Sequence, residues 1–255
     1  MKFSLKTLAA AAVMAVAATG ANAAIDNGAG GNGELFFNIW DANGSYTRSL
    51  ETTIDSFQSQ LGAAGNLNLS WSADATFTSF LATADTATLK WNVVALDSMG
   101  ARRLLTTYTA PEKTVTKQND VIRSAILDGQ LFVGKVNTAL AGADSVAVTS
   151  ASTAFAGQVT FRENLRGQID FSNAGGVANN SFATGLGFMR IDAAATGIAK
   201  SVYNEYLDGS SAVNAWVDST NTLHIAAVPE PESYAMLLAG LGMIGFMARR
   251  RNKRA

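Results

Sequence analysis

Apolar and polar side chains alternate through much of the middle of the chain, and the alternation marks out short strands. Glu34–Trp40 puts Leu35, Phe37 and Ile39 on one face and Phe36 and Trp40 on the other. Both faces are therefore expected to be covered, as inside a layered β fold. Asp41-Ala42-Asn43-Gly44 supplies a turn, Asn-Gly being the usual type I′ pair, and Ser45–Leu50 returns beside the first strand. Leu67, Leu69 and Trp71 alternate with Asn68 and Ser70, as a half-buried strand should. Thr88–Leu96 carries Leu89, Trp91 and Val93 on one side and Lys90 and Asn92 on the other. Arg103–Thr109 is its hairpin partner across Asp97-Ser98-Met99-Gly100. Further strands are expected at Ser145–Thr149, Gly157–Phe161, Phe188–Asp192, Lys200–Tyr206, Val213–Val217 and Thr222–Ala227, the last two joined by a turn at Asp218–Asn221.

Thr116–Leu140 breaks the two-residue period. Asn119 is placed to cap a helix, and Ile122, Ala125 and Ile126 lie on one stripe. Asp128-Gly129 interrupts the stripe before Val133, Val136 and Leu140 resume it, which predicts one broken helix or two short ones. Asp74–Leu81 has the pattern of a further helical turn. Ala24–Gly33, rich in Gly and Asn, reads as a flexible lead-in. The pattern predicts a mainly β domain, a β-sandwich of the jelly-roll or immunoglobulin-like class with a small helical insertion, over residues 24–227. An α+β domain is the alternative.

The two ends follow other rules. Residues 1–23 open with Lys2 and Lys6, continue through an apolar run over Thr7–Ala18, break at Gly20 and close on Ala21-Asn22-Ala23. A positive start, an apolar core and small residues at Ala21 and Ala23 are the parts of a signal peptide, cut after Ala23. This predicts a signal helix, passage through the secretory translocon and removal by signal peptidase.

Residues 228–255 begin with Val228, Pro229, Glu230 and Pro231. An uncharged stretch follows over Tyr234–Ala248, and Arg249, Arg250, Arg251, Lys253 and Arg254 form a basic terminus. As a helix the stretch is about 22 Å long, short of the roughly 30 Å hydrocarbon core, so spanning needs a thinned bilayer or snorkelling arginines. The basic cluster places the C-terminus in the cytoplasm and the body outside. Pro-Glu-Pro, an apolar helix and a terminal Arg cluster, in that order, resemble the PEP-CTERM protein-sorting domain. The resemblance implies recognition and processing by an exosortase, transient residence in the inner membrane, and release to the surface or matrix of a Gram-negative bacterium that makes exopolysaccharide and biofilm. A permanent tail anchor has the same topology and differs only in keeping the tail.

Charge divides the same way. The chain carries −1 overall, but residues 24–227 carry −6. An acidic body without a basic cluster argues against nucleic-acid binding. The absence of Cys excludes disulfides and thiolate sites. A Ser–His–Asp triad would have to use His224, the single histidine, and no Gly-x-Ser-x-Gly elbow accompanies it. Glu163 and Asp170 flank a predicted turn as ordinary solvated acids. Asp41–Ser45 resembles the start of a calcium loop, but its Gly comes too early and no Glu closes it. Trp40, Trp71, Trp91 and Trp216 sit among apolar neighbours and are expected in the core. No catalytic residue, metal or cofactor is expected. The reading is an exported, exosortase-processed, non-enzymatic surface or matrix protein associated with exopolysaccharide. A carbohydrate-binding module and a secreted hydrolase with paired carboxylates are the alternatives.

Overall fold

A computed structural model describes residues 24–62, 67–108, 118–157, 185–193, 197–209 and 211–228. The signal helix, the tail helix, the acids Glu163 and Asp170, and the strand expected over Gly157–Phe161 beyond its first residue lie outside them. The strands are β1 (Glu34–Trp40), β2 (Gly44–Thr53), β3 (Asn68–Trp71), β4 (Lys90–Leu96), β5 (Arg103–Tyr108), β6 (Ser145–Thr149), β7 (Leu186–Asp192), β8 (Val202–Glu205), β9 (Leu207–Asp208), β10 (Ser211–Val217) and β11 (Leu223–Val228). The helices are α1 (Ile54–Ser59), α2 (Ala75–Leu81) and α3 (Asn119–Leu140).

The domain is mainly β, as the alternation predicts. The described strands form one antiparallel sheet in the order β3-β11-β10-β7-β5-β4-β1-β2-β6, with β8 on β7 and β9 on β10. The sheet does by curling what a sandwich does with two sheets. Its inner face gathers Leu35, Phe37 and Ile39 of β1, Trp91 and Val93 of β4, Phe188 of β7 and Ile225 of β11 into one core, closed by Phe57 of α1 and Phe77 of α2. The two ends of the curl meet through side chains. Trp71 donates its indole N–H to the Leu50 carbonyl at 3.2 Å. Arg48 donates to the Ser72 carbonyl at 2.6 Å, and the Tyr46 hydroxyl donates to Asp74 at 2.7 Å. Leu50 has a carbonyl to spare because two extra residues of β2 bulge out opposite Leu35, with Glu51 at φ 50°.

The outer face is covered by α3. Phe36, Trp40, Val94, Leu96 and Leu104 pack against Ile122, Ile126, Phe132, Val133 and Val136. The helix is continuous over its 22 residues, where two pieces had been one of the expected outcomes. Gly129 interrupts the apolar stripe in sequence only: a Cβ there would stand 2.7 Å from Leu96 Cδ1. The missing side chain leaves room for Leu96 of the sheet. The cap also shifts by one residue. Gln118 occupies the N-cap position without a side-chain bond, while the Asn119 side chain accepts from Ser201 Oγ at 2.9 Å.

Two other expectations change. The turn at Asp41–Gly44 stands where predicted, but neither Asn43 nor Gly44 has the positive φ of a type I′ turn. The Asp41 carboxylate shapes it instead, accepting from the Asn43 and Gly44 N–H groups at 2.8 and 2.9 Å. The Gly-rich lead-in is a packed tract. Ile25 is buried in the outer core, and the Asn137 amide binds both its N–H and its carbonyl at 2.9 Å.

Candidate functional site

Two features of the last hairpin concern function: the point where the chain leaves the sheet, and a cluster on the outer face. β10 and β11 form because apolar residues alternate on both, Val213, Ala215 and Val217 against Leu223 and Ile225, and all five enter the inner core. Pairing about the Asp218–Asn221 turn sets Trp216 opposite His224 and Ala212 opposite Val228. β11 is an interior strand, with β3 on its other side. The N–H of Ala227 bonds to the Leu67 carbonyl at 3.1 Å. Val228, the first residue of the expected sorting signal, is thus the last described residue of β11. Pro229, Glu230 and Pro231, and the basic residues Arg249 to Arg254, lie beyond the described residues. Ala21 and Ala23 lie before them.

On the outer face the imidazole of His224 stacks on the indole of Trp216, with centroids 5.0 Å apart and planes 14° from parallel. His224 Nε2 meets Asp218 Oδ2 at 2.9 Å. The other Asp218 oxygen accepts from the Thr220 hydroxyl and N–H and from the Thr222 N–H. Those bonds to Thr220, the contact with His224 and the Thr222 amide hold the Asp218 carboxyl well below the ordinary carboxylate range. The cluster has an Asp–His pair but not the geometry of a nucleophile. Among the described residues no Ser or Thr hydroxyl is bonded to His224, and the Thr220 hydroxyl is engaged by Asp218 and Thr222.

The tryptophans separate. Trp40 and Trp91 are buried, and Trp71 borders the inner core, as expected. Trp216 belongs to neither core and is half-exposed on the outer face. Sequence reasoning placed it in the core with the others and passed over Asp218 as a partner for His224. Folding the sequence about the predicted four-residue turn sets Trp216 opposite Leu223; the observed register, with Val217 opposite Leu223, is one residue longer on the β11 side and is what brings Trp216 to His224. Asp41 sits in a hairpin turn, as expected, and its second oxygen accepts from the Asp85 N–H at 2.8 Å. Among the described residues no group of three or more His, Cys, Asp or Glu is arranged to hold a metal. No described helix is long and apolar enough to cross a membrane.

A family model for the PEP-CTERM protein-sorting motif matches residues 227–251. The match starts inside β11 and covers the Pro-Glu-Pro sequence, the apolar stretch and the first arginines of the basic cluster. The chain thus carries a PEP-CTERM sorting motif, which implies an exported protein targeted to an exosortase and processed at the membrane. No curated protein and no solved structure matches it.

Proposed function

We propose that this chain is a non-enzymatic surface or extracellular-matrix protein of a Gram-negative bacterium, released from the inner membrane by an exosortase into an exopolysaccharide-rich biofilm. The sorting-motif match at residues 227–251 carries the reading. The signal-peptide pattern of residues 1–23 supports export through the secretory translocon. The hairpin cluster supports the non-enzymatic part: among the described residues the chain's one imidazole contacts a turn carboxylate and a tryptophan, and no Ser or Thr hydroxyl.

Intact-mass measurement on the protein from its native host tests the processing step. The mature protein is expected to begin at Ala24 and to lack Tyr234–Ala255. The same protein from a strain without the exosortase gene should keep the tail. A mature form that retains the arginine cluster in the exosortase-positive strain would refute processing and leave a permanent anchor.

A further inference from the structure

We propose that the outer face of β3, β11 and β10 is a binding site for a neutral polysaccharide chain. The inference deepens the matrix reading above by assigning the ligand class to a surface.

Two adjacent cross-strand rows make the face. One is Ser70–His224–Trp216 and the other is Asn68–Ala226–Asn214, each set by direct pairing of β3 with β11 and β11 with β10. All six residues alternate with the inward Leu69, Val213, Ala215, Leu223 and Ile225, so they share the face turned away from the inner core.

The chemistry suits a sugar. Asn68 and Asn214 lie two strand spacings apart, about 10 Å, with the small Ala226 between them as a floor. Neither amide nor the Ser70 hydroxyl has a hydrogen-bond partner among the described residues, and Asn68 and Ser70 are exposed. Each amide offers both donors and an acceptor, the pattern that vicinal hydroxyls need. Beside this row, about 7 Å along the strands, stands the half-exposed Trp216. The electron-rich face of an indole attracts the positively polarised C–H face of a pyranose, as it attracts a ring edge. The His224 stack, itself held by Asp218, fixes the indole in place, so little side-chain freedom remains to be lost on binding. Strand residues also hold a flat platform more rigidly than a loop would. The body's charge of −6 repels polyanions, which favours a neutral polymer over an acidic one.

Native affinity electrophoresis of the exported protein tests the proposal, in gels containing hydroxyethylcellulose, galactomannan or dextran, with alginate as the acidic comparison. Retardation is expected in at least one neutral gel and not in alginate. Trp216→Ala should weaken it at least tenfold, Trp216→Phe should retain most of it, and Asn214→Ala or Asn68→Ala should each weaken it several-fold. Circular dichroism checks the fold of each variant. If Trp216→Ala does not fold, Asn68→Ala and Ser70→Ala, both at exposed positions, decide, and unchanged retardation in both overturns the site. Migration unaffected by every neutral polymer, retardation by alginate alone, or retardation that survives Trp216→Ala in a folded protein overturns it as well. The mass measurement judges processing separately, so either reading can fail while the other stands.

Discussion

Three glycines of one short tract should differ sharply in what a single methyl group costs. Gly28 and Gly33 both lie against the Leu96 carbonyl: a Cβ would stand 1.8 Å from that oxygen at Gly28 and 2.1 Å at Gly33. Gly30 has nothing within 4 Å of the same methyl position. Gly28 also has φ +69°, whereas Gly33 lies outside the left-handed region. Gly33→Ala therefore isolates the steric effect. Overfilling a packed site costs about 1–3 kcal/mol, and here the obstacle is backbone of a buried strand rather than a side-chain tip, so about 3 kcal/mol is expected. Gly28→Ala adds about 1–2 kcal/mol for the left-handed conformation. Gly30→Ala should fall between no change and a gain of about 1 kcal/mol, from lower entropy of the unfolded chain. For a domain of this size, 3 kcal/mol lowers Tm by about 6–12 °C. Urea unfolding of the three variants measures this, with the midpoint falling and m unchanged if only stability moves. Equal stability of Gly33→Ala and Gly30→Ala would refute the reasoning and return the tract to a loose lead-in.

The other predictions concern buried polar groups. Thr47 donates to Asn38 and Asn38 donates to Asn92, both at 2.8 Å, across three fully paired strands. Asn38→Ala strands two buried polar groups at about 1–3 kcal/mol each, so a loss of about 2–4 kcal/mol is expected in urea unfolding, and a loss under about 0.5 kcal/mol would contradict it. The Asp41 carboxyl titrates below its ordinary range: burial opposes its charge, but the N–H groups of Asp85, Gly44 and Asn43 outweigh it. A depressed folded pKa means that its stabilisation is complete above the unfolded value of about 3.9 and fades as pH falls through the folded value. Asp41→Asn should thus lose less stability than the parent as pH drops from about 5 to about 3, and parallel acid limbs would count against the assignment.

The strands were legible in the sequence because each is a local pattern. Trp91 and Val93 announce β4 without help from any distant residue. What escaped depends on pairing. Asn92 and Asn38 read as polar relief in their strands, yet they are fully buried, and the Asn38 amide reaches the Asn92 oxygen only once β1 lies beside β4. The one-sheet topology escaped for the same reason. β3 joins β11 through Asn68 and Ala226, more than 150 positions apart, and no local pattern records that neighbour. Helix α1 has only Ile54 and Phe57 buried in six residues, too few to display a period. Gly129 and Gly33 carried the opposite message from the one their residue type suggests: glycine marked contact with Leu96, not freedom. The sorting signal was the most legible feature, since its parts (Pro-Glu-Pro, an apolar stretch and an arginine cluster) follow one another in 28 residues.

That signal and the fold nevertheless share residues. The family match begins at Ala227, whose N–H is already bonded to Leu67, and the next residue, Val228, pairs with Ala212. The next residue in sequence is Pro229, which has no N–H to add to a ladder. Among the described residues, every paired strand and every member of both cores precedes that proline. Trp216 and His224, held by the same hairpin, lie wholly on the N-terminal side of that proline.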